Sequence, residues 1–126
     1  MIRPELTLRL QNSPGALARV CDLLANERIN INAMMIDTSG TMRLMVDNPT
    51  HAAGVLRERH YEVTLRDVLF VQLADQPGAF AKVARLLAAT GVNLDYVYAT
   101  VLDNQGQAAI VVGVSDAMRA AAAAGL

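Results

Sequence analysis

Two glycines and two asparagines at a repeated spacing are the residues of this chain best suited to chemistry. Gly15 stands in Asn12-Ser-Pro-Gly-Ala-Leu, and Gly78 stands in Asp75-Gln-Pro-Gly-Ala-Phe. Each glycine precedes an asparagine by 15 positions, Gly15 with Asn30 and Gly78 with Asn93. In each copy an alternating apolar run stops at the Pro-Gly pair and a helical pattern begins. A helix start leaves several backbone N–H groups without internal partners. Together with the positive end of the helix dipole, these groups suit a carboxylate or a phosphate. Glycine admits a ligand where a Cβ would intrude, and an asparagine amide both donates and accepts. The chemistry on offer is recognition of a small charged molecule. The plain alternative is an ordinary turn followed by a polar strand-start residue. Recurrence of Pro, Gly and Asn in both halves favours the ligand site.

The two copies are offset by 63 positions, from 15 to 78, which is half of the 126 residues. Self-similarity at a fixed period reports architecture directly, and here it reports a duplication. In the first half Leu6, Leu8 and Leu10 alternate with polar residues, as in a half-buried strand. Ser13 is placed to cap the next helix, and Pro14 suits its first turn. Leu17, Val20, Cys21 and Leu24 share one helix face. Residues 29–36 read as a second strand, Ser39-Gly40 as a turn and Met42–Val46 as the returning strand of a hairpin. Asp47-Asn-Pro-Thr opens a short helix running to about His60, and Tyr61, Val63 and Leu65 form a fourth strand. The order is βαββαβ.

The second half repeats it: Leu69, Val71 and Leu73, then a helix with Phe80, Val83, Ala84 and Leu87 on one face. Val92-Asn-Leu matches Ile29-Asn-Ile. A loop at Asp103-Asn-Gln-Gly precedes the strand Ala109–Val114, and Ser115-Asp starts an alanine-rich helix. No sequence is left for a fourth strand in this half. Between Tyr61 and Leu73 there is no Gly or Pro, and the odd positions stay apolar except Asp67. One long shared strand fits that parity at least as well as two strands and a turn.

Each half is near the size at which a lone core is marginal, burying only about 60% of its unfolded surface. The halves are therefore expected to lean on each other. Apolar residues make up 53% of the chain, yet no run reaches the ~18 apolar residues of a membrane span. Met-Ile-Arg-Pro-Glu lacks the basic flank and apolar block of a signal peptide. Cys21 is the only cysteine, so an intrachain disulfide and a cysteine-pair metal site are excluded. It falls on an apolar helix stripe and reads as a small buried hydrophobe. Cytoplasm is the expected compartment. Net charge is −1 and no Lys/Arg cluster alternates with aromatics, so no nucleic-acid footprint is present. A membrane partner, a metal and a cofactor are likewise not expected.

Enzyme signals are scarce. His51 and His60 flank a short helical stretch with Arg57, Glu58 and Arg59, which reads as a solvated face. No Ser/Cys–His–acid arrangement, phosphate loop, dinucleotide fingerprint or metal-ligand spacing is visible. Tyr96 and Tyr98 share a strand face, where they either pack or line a pocket, with packing slightly ahead. Met34, Met35, Met42 and Met45 read as gap-filling residues of a sheet.

Asn12-Ser-Pro-Gly-Ala-Leu-Ala-Arg-Val-Cys-Asp-Leu-Leu with the later Ile-Asn-Ile resembles the ACT domain, a ferredoxin-like βαββαβ regulatory module. Asp75-Gln-Pro-Gly-Ala-Phe-Ala-Lys-Val with Val-Asn-Leu resembles it again. The fold class is accordingly α+β, two tandem ferredoxin-like units of antiparallel sheet with helices on one face. The first covers residues 1–66 and the second 67–126, truncated before its last strand. Domains of this family usually bind a small effector, often an amino acid, where two units meet. The resemblance implies one site joining Asn12, Ser13, Gly15, Ala16 and Leu17 to Asn93. Its pseudo-symmetric twin joins Asp75, Gln76, Gly78, Ala79 and Phe80 to Asn30. Loop amides would hold the effector's carboxylate, and the Asn or Asp side chain its ammonium. The expected role is a stand-alone, non-enzymatic regulatory protein that acts through another polypeptide. The rival is an interaction module that serves as a small subunit of an enzyme and binds no ligand. A homodimer is also expected, because the missing fourth strand leaves a strand edge open to pairing.

Overall fold

The structure, a computed structural model, describes residues 1–102 and 106–126. Ten elements follow one another: β1 (Ile2–Arg9), α1 (Ala16–Asn26), β2 (Ile31–Ile36), β3 (Thr41–Val46), α2 (Pro49–Glu58), β4 (Thr64–Ala74), α3 (Ala79–Ala89), β5 (Tyr96–Leu102), β6 (Gln107–Gly113) and α4 (Ala117–Ala124). They divide into two compact units. One holds Pro4–Arg66, and the other holds Asp67–Leu126 together with Met1–Arg3.

In the first unit β3 is the central strand, antiparallel to both β1 and β2. Leu6 faces Leu44 and Leu8 faces Met42, so the period-2 apolar set of the sequence lands on one sheet face. The helices cover that face. Leu6, Leu8, Leu44, Val20, Leu24 and Leu56 form its buried core, and each such side chain contributes roughly 1.5–3 kcal/mol on leaving water. The buried stripe of α1 is Ala16, Val20 and Leu24, rotated from the expected Leu17, Val20, Cys21 and Leu24. Leu17 is 37% exposed, and Cys21 is half-buried. Asn48 caps α2 by accepting from the His51 N–H at 3.2 Å, with Pro49 in the first turn. Met42 and Met45 fill the sheet as expected, while Met34 remains 41% exposed.

The second unit repeats the plan. β6 is antiparallel to β4, with Leu69 opposite Val112, and to β5, with Val97 opposite Val112 on the other side. Its core combines Leu69, Val71, Ile110 and Val112 with Val83 and Leu87 of α3 and three alanines of α4. Asp116 caps α4 by accepting from the Arg119 N–H at 3.0 Å. Phe80 and Ala84, expected in the stripe of α3, are exposed. β5 starts only at Tyr96, so Val92-Asn-Leu is connecting chain rather than strand. The expected loop at 103–105 lies outside the described residues.

Two expectations about strands are corrected. Tyr61, Val63 and Leu65 do not make a separate fourth strand. β4 is one strand of 11 residues, and the division between units falls within it. The apolar parity already allowed this, and no Gly or Pro is present to break the run. The edge of β4 that was expected to be open in the second unit is not open either. The carbonyl of Met1 accepts from the Phe70 N–H of β4 at 2.8 Å, and Ile2 packs against the second core. The start of the chain thus takes the place beside β4 that a last strand would occupy.

Candidate functional site

Both glycine loops are tight turns with the same hydrogen bonds. Ala16 N–H donates to the Ser13 carbonyl at 3.3 Å, and Ala79 N–H donates to the Gln76 carbonyl at 3.1 Å. Each turn has proline second and glycine third, and Gly15 and Gly78 adopt φ of 83° and 87° with ψ near zero. That is a type II turn, which requires a positive φ at its third residue. The same glycines are the helix caps, and their carbonyls accept from the N–H of Arg19 and Lys82, each at 3.0 Å. No side chain caps either helix, so Ser13 does not fill the role expected of it. The turn geometry spends its carbonyl on Ala16 instead. The amides of Leu17 and Ala18 in one copy, and of Phe80 and Ala81 in the other, occupy first-turn positions that have no intrahelical acceptor.

Within the first unit Asn12, Ser13, Gly15 and Leu17 are exposed and Ala16 is buried. Asn30 lies immediately before β2, with its N–H donating to Asp47 Oδ1 at 3.1 Å and its carbonyl accepting from the Asp47 N–H at 3.2 Å. Within the second unit Asp75, Gln76, Gly78 and Phe80 are exposed, Ala79 is half-buried, and Asn93 is exposed between α3 and β5. The structure brings Asp75, Gln76, Gly78, Ala79 and Phe80 around a shallow cleft of about 430 Å³ closed by Leu73 and Ala108.

A larger cleft, about 860 Å³, lies in the first unit beside the Gly15 loop. One wall is the end of β1 with Arg9 and Gln11. A second is the α1 stripe through Ala16, Arg19 and Asn26, and the third is residues 59–62 between α2 and β4. Arg19 Nη1 stands 3.5 Å from where a Cβ on Gly15 would be. This cleft was not expected from the sequence, although its signals are there. Arg19 has a cationic counterpart in Lys82 at the same offset of 63. Arg59 and His60 are exposed, as expected of a solvated face, and they also border this cleft.

The tyrosines pack. Their rings stack at 6.4 Å with a 19° interplanar angle, and Tyr96 lies so close over Gly113 that an added Cβ would come within 2.3 Å of the ring. In the β2–β3 turn, Asp37 accepts from the Ser39 hydroxyl at 2.6 Å, from the amides of Ser39 and Thr41, and from Arg43 at 3.3 Å. The Ser39 hydroxyl, then the Thr41 amide and Arg43, hold its carboxyl at about 2. Among the described residues no group of three or more His, Cys, Asp or Glu could hold a metal ion. Among them, too, no helix is long and apolar enough to cross a membrane.

The family profile of the ACT domain pair matches residues 1–123. A crystal structure of a protein from Bacteroides thetaiotaomicron superposes with a TM-score of 0.88 at 31% identity, covering 98% of this chain and 86% of that one. The ligand-free regulatory subunit of aspartate kinase from Thermus thermophilus is similar in fold at 20% identity and a TM-score of 0.71, covering 99% and 92%. The corresponding subunit from Thermus flavus, also at 20% identity, gives 0.67 over 99% and 94%. No curated protein matches the chain.

Proposed function

The chain belongs to the ACT domain family as an ACT domain pair, and from that premise we propose that it is a regulatory protein whose glycine loops bind a small effector, an amino acid. One observation carries the reading: the same type II Pro-Gly turn, with a left-handed glycine as the helix cap, opens both α1 and α3. A turn of that kind leaves the first-turn amides without a side-chain cap, as binding of a carboxylate requires. In this reading Asn12, Ser13, Gly15, Ala16 and Leu17 act with Asn93. The second set is Asp75, Gln76, Gly78, Ala79 and Phe80 with Asn30. The Asn12 or Asp75 side chain takes the ammonium. The signal passes to a partner enzyme, as in the fold relatives that are regulatory subunits of aspartate kinase.

A homodimer remains part of the proposal, on a new footing. The edge that motivated it is covered by the chain's own start. β2 pairs with β3 in the first unit and β5 with β6 in the second, each as an outer strand of its unit, with Met34, Ile36, Val97 and Val101 each about two-fifths exposed. Exposed edge strands with apolar side chains invite pairing. That observation also favours the second reading, an interaction module without a ligand.

A thermal-shift screen of the common amino acids at millimolar concentration tests the choice. One or two hits that disappear in Gly15→Asp support effector binding, because a carboxylate there crowds and repels the ligand. No shift with any amino acid, together with a large subunit that copurifies, supports the interaction module.

A further inference from the structure

Three arginines, Arg9, Arg19 and Arg59, line the cleft of the first unit together with His60, in a protein whose net charge is −1. Among the described residues neither Arg19 nor Arg59 forms an ion pair. Arg9 gives one guanidinium nitrogen to the Ser39 carbonyl at 3.0 Å, which fixes its direction and leaves further donors. Asp22 and Glu62 also line the cleft, but they do not balance three arginines.

The wall formed by residues 59–62 is held in place. His60 N–H donates to the Arg57 carbonyl at 3.0 Å and Tyr61 N–H to the Leu56 carbonyl at 3.1 Å, the pair of bonds that closes a Schellman helix end. Arg57 Nη2 donates to the Val63 carbonyl at 2.8 Å. His60 itself sits at φ 71°, a left-handed position that glycine fills at least cost. The second unit uses Gly125 to end α4 with φ 72°.

We propose that this cleft is a second ligand site, distinct from the glycine-loop effector reading and not dependent on it, for a small organic phosphate. Guanidinium forks match the oxygen geometry of a phosphoryl group, and the three arginines outnumber the two carboxylates of the lining by one charge. That excess favours an anion over a zwitterionic amino acid, which carries no net charge. Leu10, Leu23 and Tyr61 give the carbon skeleton an apolar wall, and the Asp22 and Glu62 carboxylates accept from its hydroxyls. The volume of about 860 Å³ falls within the ~300–1,000 Å³ range of small-molecule sites.

The test is calorimetric titration of the full chain with ribose 5-phosphate and inorganic phosphate, with ribose and aspartate as comparators. Ribose 5-phosphate is expected to bind more tightly than inorganic phosphate, and ribose not at all. Arg59→Gln should weaken ribose 5-phosphate by at least about tenfold, the loss of one charge-assisted contact, and His60→Gly should weaken it several-fold, the loss of one ring hydrogen-bonding group. His60→Gly should at the same time raise the melting temperature, because it relieves the left-handed backbone. A folding defect cannot imitate that pair of opposite changes. The proposal is overturned if neither phosphate binds at millimolar concentration, or if both substitutions leave phosphate affinity unchanged. It is also overturned if Arg59→Gln abolishes aspartate binding while ribose 5-phosphate never binds. Amino-acid binding that survives Arg59→Gln concerns the glycine loops alone, so the two readings fail separately.

Discussion

The two units share a plan and differ in how they finish it. Where α3 and α4 of the second unit end on Gly91 and Gly125, α1 and α2 of the first end on Arg28 and His60, at φ of 57° and 71°. Where the first unit pairs Ile31 with Val46, the second pairs Tyr96 with Gly113. The second helix of the first unit buries Leu56, but α4 buries only alanines. The clefts differ in place as well as in size: about 860 Å³ between α1 and residues 59–62 in the first unit, and about 430 Å³ at the Gly78 loop in the second. A duplicated fold fixes the backbone plan and leaves each copy free to choose where to bear strain. The first unit places side chains at its left-handed helix ends, one of them, His60, beside the charged cleft, and the second places glycines there.

The largest effect that separates the units is expected at the pair Tyr96–Gly113. A Cβ on Gly113 would come within 2.3 Å of the Tyr96 ring, in a residue with no free surface to yield into. Gly113→Val should cost about 3 kcal/mol, the upper range of overpacking, read from urea unfolding. Converting the pair to its counterpart, Tyr96→Ile with Gly113→Val, should recover much of that loss. Equal stability of the single and double variants would show that the packing of this pair does not govern the site.

Next in size is an inequality between the glycine loops. Asn12 offers an uncharged amide, whereas Asp75 attracts an ammonium but opposes a carboxylate nearby. At ~4 Å and an effective dielectric near 20, each term is on the order of a few kcal/mol, enough to silence one site. One amino acid per chain is expected to bind strongly, at the Asn12 loop. A ligand at a hundredfold excess over its Kd adds about 2.7 kcal/mol, a melting shift on the order of 5–10 °C. Calorimetry that counts two equal sites per chain would remove the role given to Asp75.

The repeat, the element order and the two glycine turns are legible in the sequence, because spacing and residues with restricted backbones announce them. What escapes a sequence is a contact set by distant chain. Nothing local says that Met1–Arg3 will lie beside Phe70 and stand in for a missing strand. The stripe of α1 slipped because Leu17 is apolar, and apolarity alone does not say which side of a helix meets the sheet. Ser13 has the side chain of a cap, but a type II turn had already fixed the helix start. Arg59 and His60 read as solvated and are exposed, but the sequence does not say that they border a cleft. Only the fold turns residues 59–62 toward α1.

A smaller effect is expected from exchanging the helix ends. Arg28→Gly should stabilise the chain by about 0.5–1 kcal/mol, because glycine relieves the left-handed conformation and gives back part of that gain in unfolded-chain entropy. Gly91→Arg should cost about 1 kcal/mol for the same reason in reverse. Thermal melts in which both substitutions shift the midpoint in the same direction would show that Arg28 is held by contacts that outweigh its backbone cost.

The smallest effect concerns the β2–β3 turn of the first unit, where a partly exposed carboxylate organises the backbone. Asp37 is 37% exposed in its side chain, so solvent screens its interactions. Its carboxyl lies at about 2 in the folded chain, lowered from 3.8 first by the Ser39 hydroxyl. A carboxyl whose folded pKa is depressed contributes stability above its unfolded pKa, and that contribution is lost as pH falls through the folded value. The window is therefore about pH 4 to 2, with the full contribution present at neutral pH. Asp37→Asn retains an acceptor for the Ser39 and Thr41 amides but no longer titrates. Between about pH 4 and pH 2 its melting temperature should fall less steeply than that of the unsubstituted chain, and the two should run parallel from about pH 5 to 7. Curves that stay parallel through the acid window would mean that the turn's hydrogen bonds do not depend on the charge of Asp37. The acid sensitivity of the first unit would then have to come from its other carboxylates.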